Sequence, residues 1–107
     1  MGNIEKLFKC TGFEWTRGNI EKNWEKHHVS PVECEQIFFN QPLFIAEDVE
    51  HSQKEKRHHA LGKTGEERLL FISFTIRKDL IRIISARDMS RKERKVYEKN
   101  QKKDTEV

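Results

Sequence analysis

The strongest constraint on this chain is the run Arg68–Arg77, followed at once by Lys78-Asp79 and a second apolar run, Leu80–Arg87. Leu70, Ile72, Phe74 and Ile76 alternate with Leu69, Phe71, Ser73, Thr75 and Arg77. A period of two belongs to a strand, not a helix. The even-numbered face must be core, and the other is apolar enough to place the strand at the centre of a sheet. Lys78-Asp79 reads as a two-residue hairpin turn. That turn sets Arg77 opposite Leu80, Thr75 opposite Arg82 and Ser73 opposite Ile84. Opposed residues share a face, as do residues two apart on one strand. Arg77, Thr75, Arg82 and Ser73 are therefore expected on one side, and Ile72, Phe74, Ile76, Ile81 and Ile83 on the other. Two arginines so placed repel unless an anion lies between them, either a phosphate or an internal carboxylate. By the same count Arg87 falls on the apolar side with Leu70, near enough to pair with Glu93.

The other elements follow from shorter signals. Phe13-Glu14-Trp15 reads as a short strand, and residues 17–28 as a helix with Ile20 and Trp24 one turn apart. Ser30-Pro31-Val32-Glu33 opens a second helix with a capping box and a proline in its first turn. That helix should end near Asn40, before Pro42. Leu43–Val49 and Arg57–Lys63 read as strands around a polar loop at 50–56. A four-residue loop at 64–67 puts His58 opposite Ser73; a five-residue loop that begins at Lys63 itself puts Arg57 there. Ser90-Arg91-Lys92-Glu93 is another capping box, opening a helix to about residue 101, with Met89, Val96 and Tyr97 as its thin apolar face. The order gives a compact α+β single domain: a short strand, two helices, an antiparallel sheet and a C-terminal helix. Residues 1–12 are expected as a weakly ordered extension, 13–101 as the domain, and 102–107 as a frayed tail.

Charge narrows the partners. Residues 1–76 hold 10 basic and 12 acidic side chains, whereas residues 77–103 hold 11 basic and 4 acidic. Such an asymmetry suits a polyanion or an acidic surface. No run approaches the length of a membrane span, and Met1–Lys6 lacks the apolar core of a signal peptide, so a cytoplasmic address and no membrane contact are expected. Cys10 and Cys34 have no metal-binding spacing and are expected as reduced, small hydrophobes.

The chain has no Walker loop, GxGxxG, HExxH or GxSxG. His27-His28 and His58-His59 are adjacent pairs whose members point apart, with His51 an outsider, so neither a metal nor a cofactor is expected. What remains is a set of cations with His27, His58, Glu93 and Tyr97 as proton-transfer candidates. RNA cleavage by attack of a 2′-hydroxyl on its own phosphate needs little more. One group takes a proton, another gives one, and cations hold the crowded phosphorane.

Three blocks carry a resemblance. The first is Phe13-Glu14-Trp15, Asn19, Lys22-Asn23, Lys26-His27 and Val29-Ser30. The second is Ala60-Leu61-Gly62-Lys63, Arg68-Leu69-Leu70-Phe71 and Phe74-Thr75-Ile76-Arg77. The third is Ile81-Arg82-Ile83-Ile84-Ser85-Ala86-Arg87, Ser90-Arg91-Lys92-Glu93-Arg94 and Tyr97. Together they resemble the BrnT family of type II toxins, in order, from about residue 13 to 98. Thr16 and His28 stand where that family usually has Asp and Gly.

The resemblance implies a fold similar to RelE-type ribonuclease toxins and RNA cleavage that arrests translation. It also implies a BrnA-like DNA-binding antitoxin, operator DNA reached only through that antitoxin, and a dimer-containing hetero-oligomer. Carried onto this chain, it makes Arg77 and Arg82 ligands of the phosphate and transition state. Arg57, His27 and Tyr97 become proton-transfer or positioning candidates, and Lys26, Arg91 and Arg94 steer RNA. Core packing is the competing role for Tyr97, and the capping box for Glu93. Two other functions share the basic face: a non-catalytic RNA- or DNA-binding module, and an inactive toxin kept as a corepressor. The proposed centre fails if the arginines splay apart or are each locked by an internal carboxylate.

Overall fold

The computed structural model describes Leu7 and residues 9–105, with side chains through residue 101. In chain order the elements are β1 (Gly12–Glu14), α1 (Arg17–His27), α2 (Pro31–Ile37), β2 (Phe44–Glu47), a 3-10 turn (Val49–His51), β3 (His58–Lys63), β4 (Leu69–Arg77), β5 (Leu80–Asp88) and α3 (Arg91–Thr105). One five-stranded sheet has the order β1-β5-β4-β3-β2, with β4 at its centre. The fold is α+β. The sheet is mixed, because β1 lies parallel to β5 while the other pairs are antiparallel. Residues 1–6 and 8, which fall within the expected extension, and 106–107 lie outside the described residues. β1 begins at Gly12, and α3 continues to Thr105, beyond the expected end near 101.

The β4–β5 hairpin turns at Lys78 and Asp79, both at positive φ (48° and 65°). Positive φ at both central residues is the tight hairpin geometry that matches strand twist. Arg77 pairs with Leu80, Thr75 with Arg82 and Phe74 with Ile83. The register then slips between Ser73 and Phe74, so Ser73 faces Ser85 instead of Ile84. Ile84 is the extra residue of a bulge. Beyond it every β5 side chain changes face, and Arg87 pairs with Phe71, on the side of Thr75 and Arg82. The expectation that Arg87 shares the apolar side with Leu70 is thereby corrected. In the β3–β4 pair neither expected alternative holds. The connection is the five residues 64–68, and His59 stands opposite Ser73.

Leu70, Ile72, Phe74, Ile81, Ile83 and Ala86 form the buried face with Val29, Cys34, Ile37 and Ala60. α2 covers this face. A Cβ at Gly62 meets Ile37 Cβ at 3.0 Å, so that position admits only glycine without movement. The Ser30/Glu33 box caps α2 as expected, but the helix ends at Ile37, three residues short of Asn40. On the opposite face α3 docks through Tyr97, fully buried, whose hydroxyl donates to the Pro42 carbonyl at 2.7 Å. Its ring meets Phe44 edge-on.

α1 does not use an apolar stripe, since Trp24 is 52% exposed. Instead it lies along the edge of β5 that β1, three residues long, leaves uncovered. Asn19 Nδ2 donates to the Ile83 carbonyl and Lys22 Nζ to the Ile84 carbonyl, each at 3.2 Å. The Ala86 amide donates to Asn23 Oδ1 at 3.2 Å. Polar side chains thus take the place of a sixth strand. α1 closes at His28 in the left-handed conformation, φ 53°. Arg68 ties this end down, donating to the His27 and His28 carbonyls and pairing with Glu33 and Asp88.

Two outcomes test this account. Asn23→Leu leaves the buried Ala86 amide without an acceptor and should cost about 1–3 kcal/mol in urea unfolding; an unchanged midpoint contradicts the sealing role. The Arg68 hydrogen bonds hold the Asp88 carboxyl below its ordinary range. Burial acts to raise Glu33, but bonds from Ser30 and Arg68 outweigh it and lower that carboxyl too. Lowered folded values mean full stabilisation above the unfolded pKa, lost as pH falls through the folded one. Wild type should lose stability below about pH 4, and Arg68→Met should flatten that loss, as read from urea midpoints at neutral and acid pH.

Candidate active site

The face opposite α2 carries a cavity of about 600 Å³. Its floor is the start of the β4–β5 hairpin, where Thr75, Arg77 and Arg82 share one face, as the turn register requires. Arg57, just before β3, joins them, and Asn19 and Ile84 mark the α1 side. The 3-10 turn supplies the roof with Glu50 and His51, and the loop after it with Gln53, Lys54 and Glu55. That loop is closed at its base: the Asp48 amide donates to the Arg57 carbonyl at 2.8 Å, and the Arg57 amide to Ser52 Oγ at 3.0 Å.

One carboxylate, Glu55, is in contact with Arg77 and feels the charge of Arg82 and Arg57 as well. Arg77 holds Glu55 in a two-pronged fork, Nε to Oε2 at 2.7 Å and Nη2 to Oε1 at 2.9 Å. Those bonds and the charges of Arg77, Arg82 and Arg57 keep the Glu55 carboxyl below its ordinary range. Arg82 also stands 3.8 Å from Glu14 Oε1, a loose pair across the β1–β5 ladder. Arg57 has no ion-pair partner among the described residues. All three arginines line the one cavity, and an internal carboxylate meets Arg77 closely and Arg82 loosely. Two buried oxygens here, Thr75 Oγ1 and Glu14 Oε1, make no hydrogen bond. A buried hydroxyl without a partner is a ready donor to an incoming oxygen.

Beside the arginines lies a cluster the sequence reading did not anticipate. The Asp48 side chain, 6% exposed, accepts from His51 Nδ1 and is ion-paired with His59 Nε2, both at 2.9 Å on Oδ2. Its Oδ1 takes the His51 backbone amide at 3.3 Å. Burial acts to raise the Asp48 carboxyl, but the His51 hydrogen bonds and the charges of the two imidazoles hold it below its ordinary value. His59 stacks on Phe71 at 4.6 Å, and the Arg87 guanidinium lies 4.2 Å over the same ring. Arg87 is also paired with Glu93, which completes its capping box with Ser90, as expected. An acidic residue three before a histidine in a turn-forming segment was the available signal for the Asp48–His51 pair.

The remaining candidates stand elsewhere. His27 is eight residues along α1 from Asn19, about 12 Å at the helical rise, beside Asp88. The exposed Lys26 is its neighbour on α1, and the exposed Arg91 and Arg94 open α3. Tyr97 is committed to Pro42 and the core, and burial pushes its phenol to about 12. His58 faces the core against Phe74. The structure therefore brings together Arg57, Arg77 and Arg82, but not His27 or Tyr97. No cluster of three or more His, Cys, Asp or Glu fit to hold a metal exists among the described residues, nor any helix long and apolar enough to cross a membrane.

Comparison with known proteins bears on what this site serves. A family model described as "Ribonuclease toxin, BrnT, of type II toxin-antitoxin system" matches residues 15–93. Among solved structures, the Brucella abortus ribonuclease toxin BrnT is similar, with a TM-score of 0.57 and 17% identity over 76% of this chain and 99% of that one. At such identity the likeness concerns the fold. No curated protein matches. The family match covers most of the domain, including β2 to β5 and the start of α3, and on that ground the chain belongs to the BrnT family of ribonuclease toxins of type II toxin–antitoxin systems.

Proposed function

We propose that this chain cleaves RNA in the arginine-lined cavity by attack of a 2′-hydroxyl on the adjacent phosphate, with no metal ion taking part. The family makes RNA the substrate and an antitoxin the partner. The observation that carries the mechanism is Glu55 lying in the fork of Arg77, with Arg82 and Arg57 acting on the same carboxylate. A site that holds one anion this way can hold another: the scissile phosphate displaces Glu55 and takes over the fork. Arg82, Arg57 and the Thr75 hydroxyl then meet the oxygens on which charge grows as the phosphorane forms. The nucleophile belongs to the RNA, so neither a protein nucleophile nor a metal-bound water is required. Lys26, Arg91 and Arg94 extend the basic surface along which the strand is steered. In the cell the activity arrests translation in the cytoplasm until a BrnA-like, DNA-binding antitoxin occupies the toxin in a dimer-containing complex.

One observation favours a second reading. Glu55 already occupies the Nε–Nη2 fork of Arg77. A toxin fixed in that state is inactive and serves its operon as an antitoxin-binding corepressor. Expression without antitoxin separates the two: growth arrest relieved by Arg77→Ala supports the enzyme, and normal growth with intact antitoxin binding supports the corepressor.

The direct test is purified protein with RNA in excess EDTA, followed by analysis of the 3′ ends. Fragments ending in 2′,3′-cyclic phosphate are expected, and intact RNA contradicts the mechanism. Arg77→Ala and Arg82→Ala should each lower kcat by about 10²–10³, the usual loss for one transition-state donor. Tyr97→Phe loses only the bond to Pro42, so it should cost about 1 kcal/mol of stability and leave the cleavage rate near wild type; a hundredfold rate loss (about 2.7 kcal/mol) returns Tyr97 to the active site.

A further inference from the structure

We infer that His51, oriented by Asp48, is the group that takes the proton from the RNA 2′-hydroxyl, a role that rests on the cleavage reading above. Few groups lining the cavity can accept a proton. Lys54, Arg57, Arg77 and Arg82 are cations. Glu55 is held in the Arg77 fork and kept below its ordinary range, which makes it a weak base. Glu50 is exposed and has no hydrogen-bond partner among the described residues to aim it. His51 is exposed as well, but it is held in place. Its Nδ1 is bonded to Asp48 Oδ2 at 2.9 Å, and its own backbone amide to Asp48 Oδ1 at 3.3 Å. One carboxylate therefore fixes both the ring and the turn that carries it.

The bond also sets the tautomer. With the Nδ1 hydrogen given to Asp48, Nε2 carries the lone pair. Nε2 has no partner among the described residues, and the residue lines the same cavity as the arginines. Asp48 is almost fully buried behind the ring and is shared with His59. An ionised carboxylate in that place holds the imidazole in line and stabilises the imidazolium that forms. His51 is thus a catalytic residue and Asp48 a positioning one. The 2′-oxygen passes its proton to His51 Nε2 as it forms the new bond to phosphorus. The bond from phosphorus to the 5′-oxygen breaks, its electron pair stays on that oxygen, and water supplies the proton. His51 then returns its proton to solvent, leaving a 2′,3′-cyclic phosphate and a 5′-hydroxyl.

The test compares wild type, His51→Ala, Asp48→Asn and Glu50→Gln on one RNA in EDTA. Affinity is read separately with the same RNA carrying a 2′-deoxy sugar at the cleaved position. His51→Ala should lose about 100-fold or more in kcat, with affinity within about threefold of wild type. Free imidazole should restore part of its activity. Asp48→Asn keeps the turn's cap but loses the charge. It should lower kcat by at least about tenfold, leave affinity alone and gain nothing from imidazole. Glu50→Gln should behave as wild type. If His51→Ala misfolds, His51→Gln, which can still donate to Asp48, carries the same expectation. A wild type that cleaves while the His51 variants stay within about threefold of it in kcat overturns the assignment and leaves the cleavage reading standing. A wild type that yields no cyclic phosphate overturns both.

Discussion

The rest of the site depends on a two-residue turn. Lys78 and Asp79 each adopt positive φ, and the strand twist they impose sets Thr75 directly against Arg82 and leaves Arg77 on the same face. No side-chain contact is needed to bring the two guanidiniums together; the backbone does it. A turn longer by one residue sends Arg82 to the core side, where Ile81 and Ile83 now pack. The cation pair and the apolar face are thus two results of a single register.

The bulge at Ile84 makes a second adjustment. Arg82 and Arg87 are five residues apart, an odd number, so a regular strand points them to opposite faces. The extra residue restores them to one face. Arg87 can then lie over Phe71 and reach Glu93, tying the start of α3 to the sheet. The bulge also coincides with the edge that α1 seals: the carbonyls of Ile83 and Ile84 are the ones that Asn19 and Lys22 satisfy. Irregular strand and polar helix face belong together, because a bulged edge cannot offer a regular ladder to another strand.

Much of this was legible in the residues. The period of two in β4, the turn at 78–79 and the boxes at Ser30/Glu33 and Ser90/Glu93 are local signals, and each appears where it was expected. The shift of β5 was not legible, since Ile84 carries no glycine or other mark of a bulge. Nor was the use of α1: Ile20 and Trp24 suggest an apolar stripe, whereas the working face is Asn19, Lys22 and Asn23, which only the exposed strand edge explains. Arg77, Arg82 and Arg57 could be named as a cluster because register arithmetic or family likeness reached them. For Asp48, His51 and Glu55 the only local signal is the Asp48–His51 spacing, because residues 48–57 have no periodicity and acquire their places only through the closure at Asp48 and Arg57. Tyr97 shows the converse. Its chemistry suggested a proton donor, while its burial beneath α3 makes it a pillar.

The closure of residues 48–57 has a consequence for energetics. The segment that lends Glu55 to Arg77 is the same one that mounts His51 on Asp48. On the proposed mechanism, an anion that displaced Glu55 would pull on the segment that holds the imidazole, so the two events would be thermodynamically linked. The local opening free energy of this ten-residue stretch would then enter the affinity for such an anion.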